Sequence, residues 1–159
     1  MFDQIKKAQT LVEQLQEVCE MYPDFQQYTF LKESKETGLT TKNLDRHARR
    51  VASMLMRHTK PKDRVILLYP SGLEFIYTLF GCFYAQVIAV PIYSNKARSS
   101  KIAERLKCIL KDTEAKVVLT LEETAKNQQE LKKDAPWLKD VTFLATDREE
   151  SQFEVLEML

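Results

Sequence analysis

The chain has 159 residues, 44% hydrophobic and 30% charged, a balance that builds one buried core and excludes a disordered chain. Its formal net charge of +1 offers no broad basic field for a nucleic-acid backbone, so no nucleic-acid partner is expected. Three scattered cysteines, Cys19, Cys82 and Cys108, form no C-x-x-C pair; they exclude a disulfide framework and read as reduced thiols of a cytoplasmic protein.

Residues 1–7 carry charge with no apolar run behind them, which argues against a secretory signal. Over residues 3–20, Ile5, Ala8, Val12, Leu15 and Cys19 recur at helical spacing and predict an amphipathic helix ended by Pro23. Residues 28–32 have strand composition, and residues 33–38 read as a polar turn that makes a hairpin into Leu39. Thr40 or Thr41 is expected to cap the next helix, where Leu44, Ala48, Val51 and Leu55 form one face. After a turn at 61–63, residues 65–69 make a short, nearly all-apolar run, as in a parallel strand covered on both faces.

Pro70, Ser71 and Gly72 turn the chain into a helix over 73–85 that is apolar on almost every side and so predicted to be buried. The next strand covers 87–92. Residues 73–93 together raise a membrane helix, but Gln86 and Pro91 interrupt them and the character changes midway from aromatic to β-branched. A helix followed by a strand explains that switch better, and no transmembrane segment is expected. A polar loop over 94–100 leads to a helix with Ile102, Leu106, Ile109 and Leu110 on one face. Strands at 116–120 and 141–145 flank a charged helix over 123–134, and a short helix closes the chain over 149–159. The alternation from residue 65 onward predicts an α/β fold with a mostly parallel sheet flanked by helices.

Chemistry is harder to find. Gly38, Gly72 and Gly81 are the only glycines, and neither G-x-G-x-x-G nor G-x-x-x-x-G-K-[ST] can be written, so no phosphate-cradling loop is present. His47 and His58 lie outside any H-E-x-x-H or cysteine cluster, which leaves no metal ligand set. His47, among Arg46, Arg49 and Arg50, reads as part of a solvated basic face. Cys82 lies within a helix expected to be buried and reads as a small core hydrophobe rather than a nucleophile. Ser71 fails the G-x-S-x-G pattern, since Tyr69 and Leu73 flank it, and reads as a helix cap. Glu149 and Glu150, beside Asp147 and Arg148, read as a helix-start acidic pair, and Lys132, Lys133 and Asp134 as a solvated face. No catalytic, cofactor-binding or metal residue is assigned.

Several segments together resemble one family. Tyr28-Thr29-Phe30-Leu31, Leu39 through Leu44, and Pro61 through Val65 resemble the opening of the adenylate-forming, AMP-binding enzymes. Leu67 through Phe75, Phe80 through Ala85 and Ile88 through Tyr93 resemble the fatty-acyl-AMP ligase branch of these acyl-CoA synthetase-like proteins. Arg105-Leu106 through Ile109 and Val117 through Thr120 continue the likeness. The family usually has Gly where this chain has Lys62 and Gln86, and Gln86 is expected to add bulk where helix meets strand.

The resemblance implies a single domain over 1–159, with an amino-terminal helix and linker (1–27) before the start of the family's large domain (28–159). It implies, for the complete enzyme, ATP and Mg2+ as cofactors, with a fatty acid and an acyl carrier protein as partners. The family's phosphate loop, adenine contacts, acyl tunnel and catalytic lysine all follow the matched part. This chain is therefore expected to be inactive alone, with no cofactor of its own, and to form a homo-oligomer through uncovered apolar surface. It reads as a piece of such a ligase; the alternatives are a free-standing, non-catalytic interaction module and a membrane-associated protein using residues 73–93.

Overall fold

The computed structural model describes residues 8–93, 100–131 and 135–147. Helix α1 (Leu11–Met21) forms the later part of the helix predicted over 3–20 and starts at Leu11; residues 8–10 precede it outside the helix, and 3–7 lie outside the described residues. Thr10 sets that start through a capping box: its hydroxyl accepts the Glu13 N–H at 3.1 Å while the Glu13 carboxylate accepts the Thr10 N–H. The hairpin β1 (Gln26–Lys32) and β2 (Lys35–Thr40) turns at Glu33 and Ser34 alone, so residues 35–38, expected in the turn, are strand. Glu33, at φ 55°, takes the left-handed conformation the tight turn demands.

Thr40 caps α2 (Thr41–Met56), accepting the Asn43 N–H at 3.3 Å, while the Thr41 hydroxyl donates to the Phe25 carbonyl at 3.1 Å. Leu44, Ala48, Val51 and Leu55 are all buried, as their spacing predicts. The next elements are β3 (Arg64–Tyr69), α3 (Leu73–Tyr84), β4 (Ile88–Tyr93), α4 (Ser100–Thr113), β5 (Val117–Thr120), α5 (Glu122–Leu131) and β6 (Thr142–Ala145). A 3-10 turn, Pro136–Leu138, precedes β6; the sequence reading did not anticipate it. The polar loop at 94–99, residues 132–134 and the closing helix with Glu149 and Glu150 lie outside the described residues.

The four later strands form one parallel sheet in the order β4-β3-β5-β6, which is the expected α/β architecture. Side chains on β3 alternate between two cores. Val65, Leu67 and Tyr69 meet α2 and α3, whereas Ile66 and Leu68 meet Leu106 and Leu110 of α4, Ala125 of α5 and Leu138. β3 is thus covered on both faces. β4 is not: it forms one edge of the sheet among the described residues, with Ile88 49% exposed and Pro91 exposed. Proline suits that edge, where its missing N–H interrupts no ladder.

Two turns meet below the sheet. The Lys62 N–H donates to the Gln86 carbonyl at 2.8 Å, and the Ile88 N–H to the Asp63 carbonyl at 2.8 Å. Asp63 also closes its own turn, its carboxylate accepting the Lys60 N–H at 2.8 Å. Lys62 and Gln86 both have positive φ, 73° and 56°. Gln86 is exposed and crowds nothing, so the physical reason for glycine at these positions is backbone handedness rather than bulk. Lys62→Gly and Gln86→Gly should each stabilise the chain by about 0.5–1 kcal/mol, strain relief outweighing the entropy glycine adds to the unfolded state. Urea melts that showed both variants destabilised would refute this.

Candidate functional site at the carboxyl end of the sheet

Chain order along the sheet reverses beside β3: the path runs outward to β4, then crosses back to β5. In parallel α/β sheets, ligands enter the crevice at the carboxyl ends of the strands that flank such a reversal. Here Tyr69 ends β3 and Pro70 through Gly72 follow it, Thr120 ends β5 and Leu121 follows it, and Thr146 and Asp147 follow β6.

A cavity of about 430 Å3 opens at this end between the hairpin and the β3–α3 turn, with Tyr28, Phe30, Pro70, Leu73, Ile76 and Pro91 among its walls. A second cleft of about 440 Å3 shares Pro70, Ser71, Gly72 and Leu73 and reaches Lys32, Lys35 and Leu121. The first suits a hydrocarbon or an aromatic surface, since its walls are chiefly apolar side chains.

Behind these clefts lies a buried polar network. Arg50, only 8% exposed, donates from its guanidinium to the Thr146 carbonyl. The Tyr69 and Thr146 hydroxyls are 2.8 Å apart, and the Thr78 hydroxyl donates to that of Tyr69 at 3.4 Å. Thr146 also donates to the Thr120 carbonyl at 3.4 Å, and Thr120 to the Leu68 carbonyl at 2.7 Å. Burial pushes the Tyr69 phenol far above its ordinary range, so it stays neutral and serves as a bridging hydroxyl. The network ties the ends of β3, β5 and β6 to α2 and α3.

The predicted solvated basic face holds for Arg46, which is exposed, and fails for its neighbours. Arg50 is buried, and the His47 ring stacks on Tyr77 with centroids 4.8 Å apart. Arg49 pairs with Asp45 at 2.8 Å over the Tyr84 ring, and the Tyr84 hydroxyl donates to the same carboxylate. Nor does Ser71 cap α3; Gly72 holds the N-cap position, and no side chain bonds there. Asp147 does support a helix start, but of α5: its carboxylate accepts the Glu122 N–H at 2.7 Å. Cys82 is fully buried and its thiol is pushed up to about 12 by desolvation, as befits a core residue. The Arg50 network had no sequence signal, because its members lie far apart in the chain and meet only through the strand ends.

Among the described residues, no three His, Cys, Asp or Glu side chains converge as metal ligands. With no phosphate loop in the sequence and apolar walls in the groove, these residues do not fit a triphosphate and its metal ion by themselves. The described residues also contain no helix long and apolar enough to cross a membrane; α3 has 12 residues. The AMP-binding enzyme family model matches residues 15–157. The chain belongs to the AMP-binding enzyme family.

Among AMP-binding enzymes, the medium-chain-fatty-acid–[acyl-carrier-protein] ligase JamA of Moorena producens is 40% identical over 70% of this chain and 19% of its own length. The long-chain-fatty-acid–AMP ligase FadD23 of Mycobacterium tuberculosis is 29% identical over 67% of this chain and 19% of its length. The crystal structure of the fatty acyl-adenylate ligase from L. pneumophila, in complex with acyl adenylate and pyrophosphate, is similar at TM-score 0.75 and 30% identity. That likeness covers 94% of this chain and 26% of the ligase chain. The chain thus resembles the amino-terminal portion of fatty-acyl-AMP ligases and spans about a fifth of the curated relatives' length.

Proposed function

We propose that this chain forms the amino-terminal layer of a fatty-acyl-AMP ligase that activates a fatty acid with ATP and passes the acyl group to an acyl carrier protein. The observation that carries the reading is the family match over residues 15–157, joined to relatives whose names specify fatty-acid ligation to AMP or carrier protein. In the activation step a carboxylate oxygen attacks the α-phosphorus of ATP and pyrophosphate leaves. A carrier-protein thiol then takes the acyl group and AMP departs. This chain supplies a rigid sheet edge and an apolar wall; the ATP and Mg2+ sites fall to other parts of the complete enzyme. A cytoplasmic location belongs to the same reading.

ATP–pyrophosphate exchange with dodecanoate is the test. The 159-residue chain alone should show no exchange. A chimera in which it replaces the matching segment of the Moorena ligase should exchange within about tenfold of the parent, a loss of under roughly 1.4 kcal/mol. Turnover by the chain alone, or a cooperatively folding chimera with no exchange, would refute the reading.

The same reading bears on association. Phe75, Ile76, Leu79, Phe80 and Phe83 of α3 are only partly buried, correcting the expectation of a fully buried helix, and the β4 edge is unpaired among the described residues. Large apolar patches and open edges favour pairing, and a two-fold pair closes most simply. We infer that the separate chain self-associates. Sedimentation across a concentration range should show a dimer or larger species; a monomer at high concentration that binds no hydrophobic dye would exclude it.

A further inference from the structure

The opposite, amino end of the parallel sheet carries a second feature. A cleft of about 670 Å3 opens there between the end of α2, the turn before β3 and the α4–β5 connection. Its size falls in the range of small-molecule sites. Arg57, Lys60, Lys62, Arg64 and Lys116 line it, against the two carboxylates Asp63 and Glu114. Because the whole chain carries only +1, this excess of cations is a local concentration rather than a share of a generally basic surface.

Five cations against two carboxylates leave a local excess of positive charge, and among the described residues no ion pair joins them. The ion pairs found among the described residues are Arg49–Asp45 and Lys126–Glu122, both elsewhere. The Asp63 carboxylate is already engaged by the Lys60 backbone N–H. The turn beneath the lysines is also held in place. Asp63 N–H donates to the Lys60 carbonyl at 3.1 Å, and Lys62 N–H to the Gln86 carbonyl at 2.8 Å. The Thr59 hydroxyl donates to the Leu55 carbonyl of α2 at 2.8 Å and the Thr113 hydroxyl to the Ile109 carbonyl of α4 at 2.6 Å, so the cations, together with His58, line the cleft with donors to spare. An anchored loop with several unpaired cations around one concavity attracts multiply charged anions and loses little freedom on holding them.

We propose that this amino-end cleft binds a small molecule bearing two or more phosphate groups, at a site separate from the carboxyl-end groove. Inorganic tripolyphosphate is the probe. Titration calorimetry on the 159-residue chain should show saturable one-to-one binding that weakens as salt rises. Lys60→Glu combined with Lys116→Glu should weaken it at least tenfold. Lys42→Glu combined with Lys107→Glu, an equal charge change at exposed positions of α2 and α4 that line neither this cleft nor the carboxyl-end clefts, should change it less than twofold. Circular dichroism melts establish that both variants fold. Equal losses in the two variants would show general charge attraction and overturn the proposal. So would the absence of saturable binding by tripolyphosphate, including a result in which only an acidic polypeptide such as polyglutamate binds.

Discussion

Gly81→Val is expected to destabilise the chain by about 3 kcal/mol, lowering its melting temperature by roughly 6–12 °C. Gly81 lies inside α3 at a helical φ, where glycine is the poorer choice by about 1 kcal/mol against alanine. Packing overrides that preference. A Cβ at this position would lie 2.6 Å from both Cβ and Cγ1 of Val51 and 3.0 Å from the Ala48 carbonyl oxygen. Two of those atoms sit on or beside the α2 backbone and cannot rotate away, so α2 and α3 must separate to admit any side chain. Gly81→Ala should then also lose stability, by about 1–2 kcal/mol, against its helix propensity. Adding Val51→Ala should recover only part of this, because it removes Cγ1 and leaves Cβ. A gain in stability for Gly81→Ala in urea melts would show that the helices are not in close approach there.

The features legible in the sequence are those decided by neighbours along the chain. Leu44, Ala48, Val51 and Leu55 recur at helical spacing and are buried together; Val65 through Tyr69 are apolar without interruption and form the doubly covered central strand. Strand–helix alternation then leaves a parallel sheet as the natural assembly, and the order β4-β3-β5-β6 bears that out. The misreadings arise where tertiary contacts outvote local pattern. Arg50 looks like one of three solvated arginines, yet the Thr146 carbonyl, far along the chain, accepts from it and draws it inside. Phe75, Leu79 and Phe83 look buried because they are apolar, although the buried face of α3 is the one carrying Tyr77, Thr78, Gly81 and Tyr84. Lys62 and Gln86 stood out as missing glycines; only backbone angles reveal that handedness is the constraint. The candidate groove was not legible at all, since its walls come from the hairpin, the β3–α3 turn and β4, which meet only in three dimensions.

Arg50→Ala is expected to cost about 2–4 kcal/mol, the other large effect. The substitution removes a charged donor from a buried carbonyl, together with the apolar stem of a side chain only 8% exposed. Part of the loss is the penalty of leaving the Thr146 carbonyl without that donor at the carboxyl end of β6. Arg50→Lys should retain only part of the stability, because an ammonium on a flexible stem does not reproduce the planar fork of a guanidinium. Tyr69→Phe removes a different bond to the same residue, the 2.8 Å contact with the Thr146 hydroxyl, and should cost about 0.5–1.5 kcal/mol. If Thr146 is held jointly from α2 and β3, the losses should be non-additive, with a coupling of at least about 0.5 kcal/mol in a double-mutant cycle. The loosened strand end should also show in amide hydrogen exchange. The Thr146 N–H, which donates to the Thr120 carbonyl at 3.0 Å, should exchange faster in Arg50→Ala, whereas the Gln14 N–H within α1 should keep its local rate. Additive losses with unchanged exchange at Thr146 would mean that Arg50 only fills space and does not position the carboxyl end of the sheet.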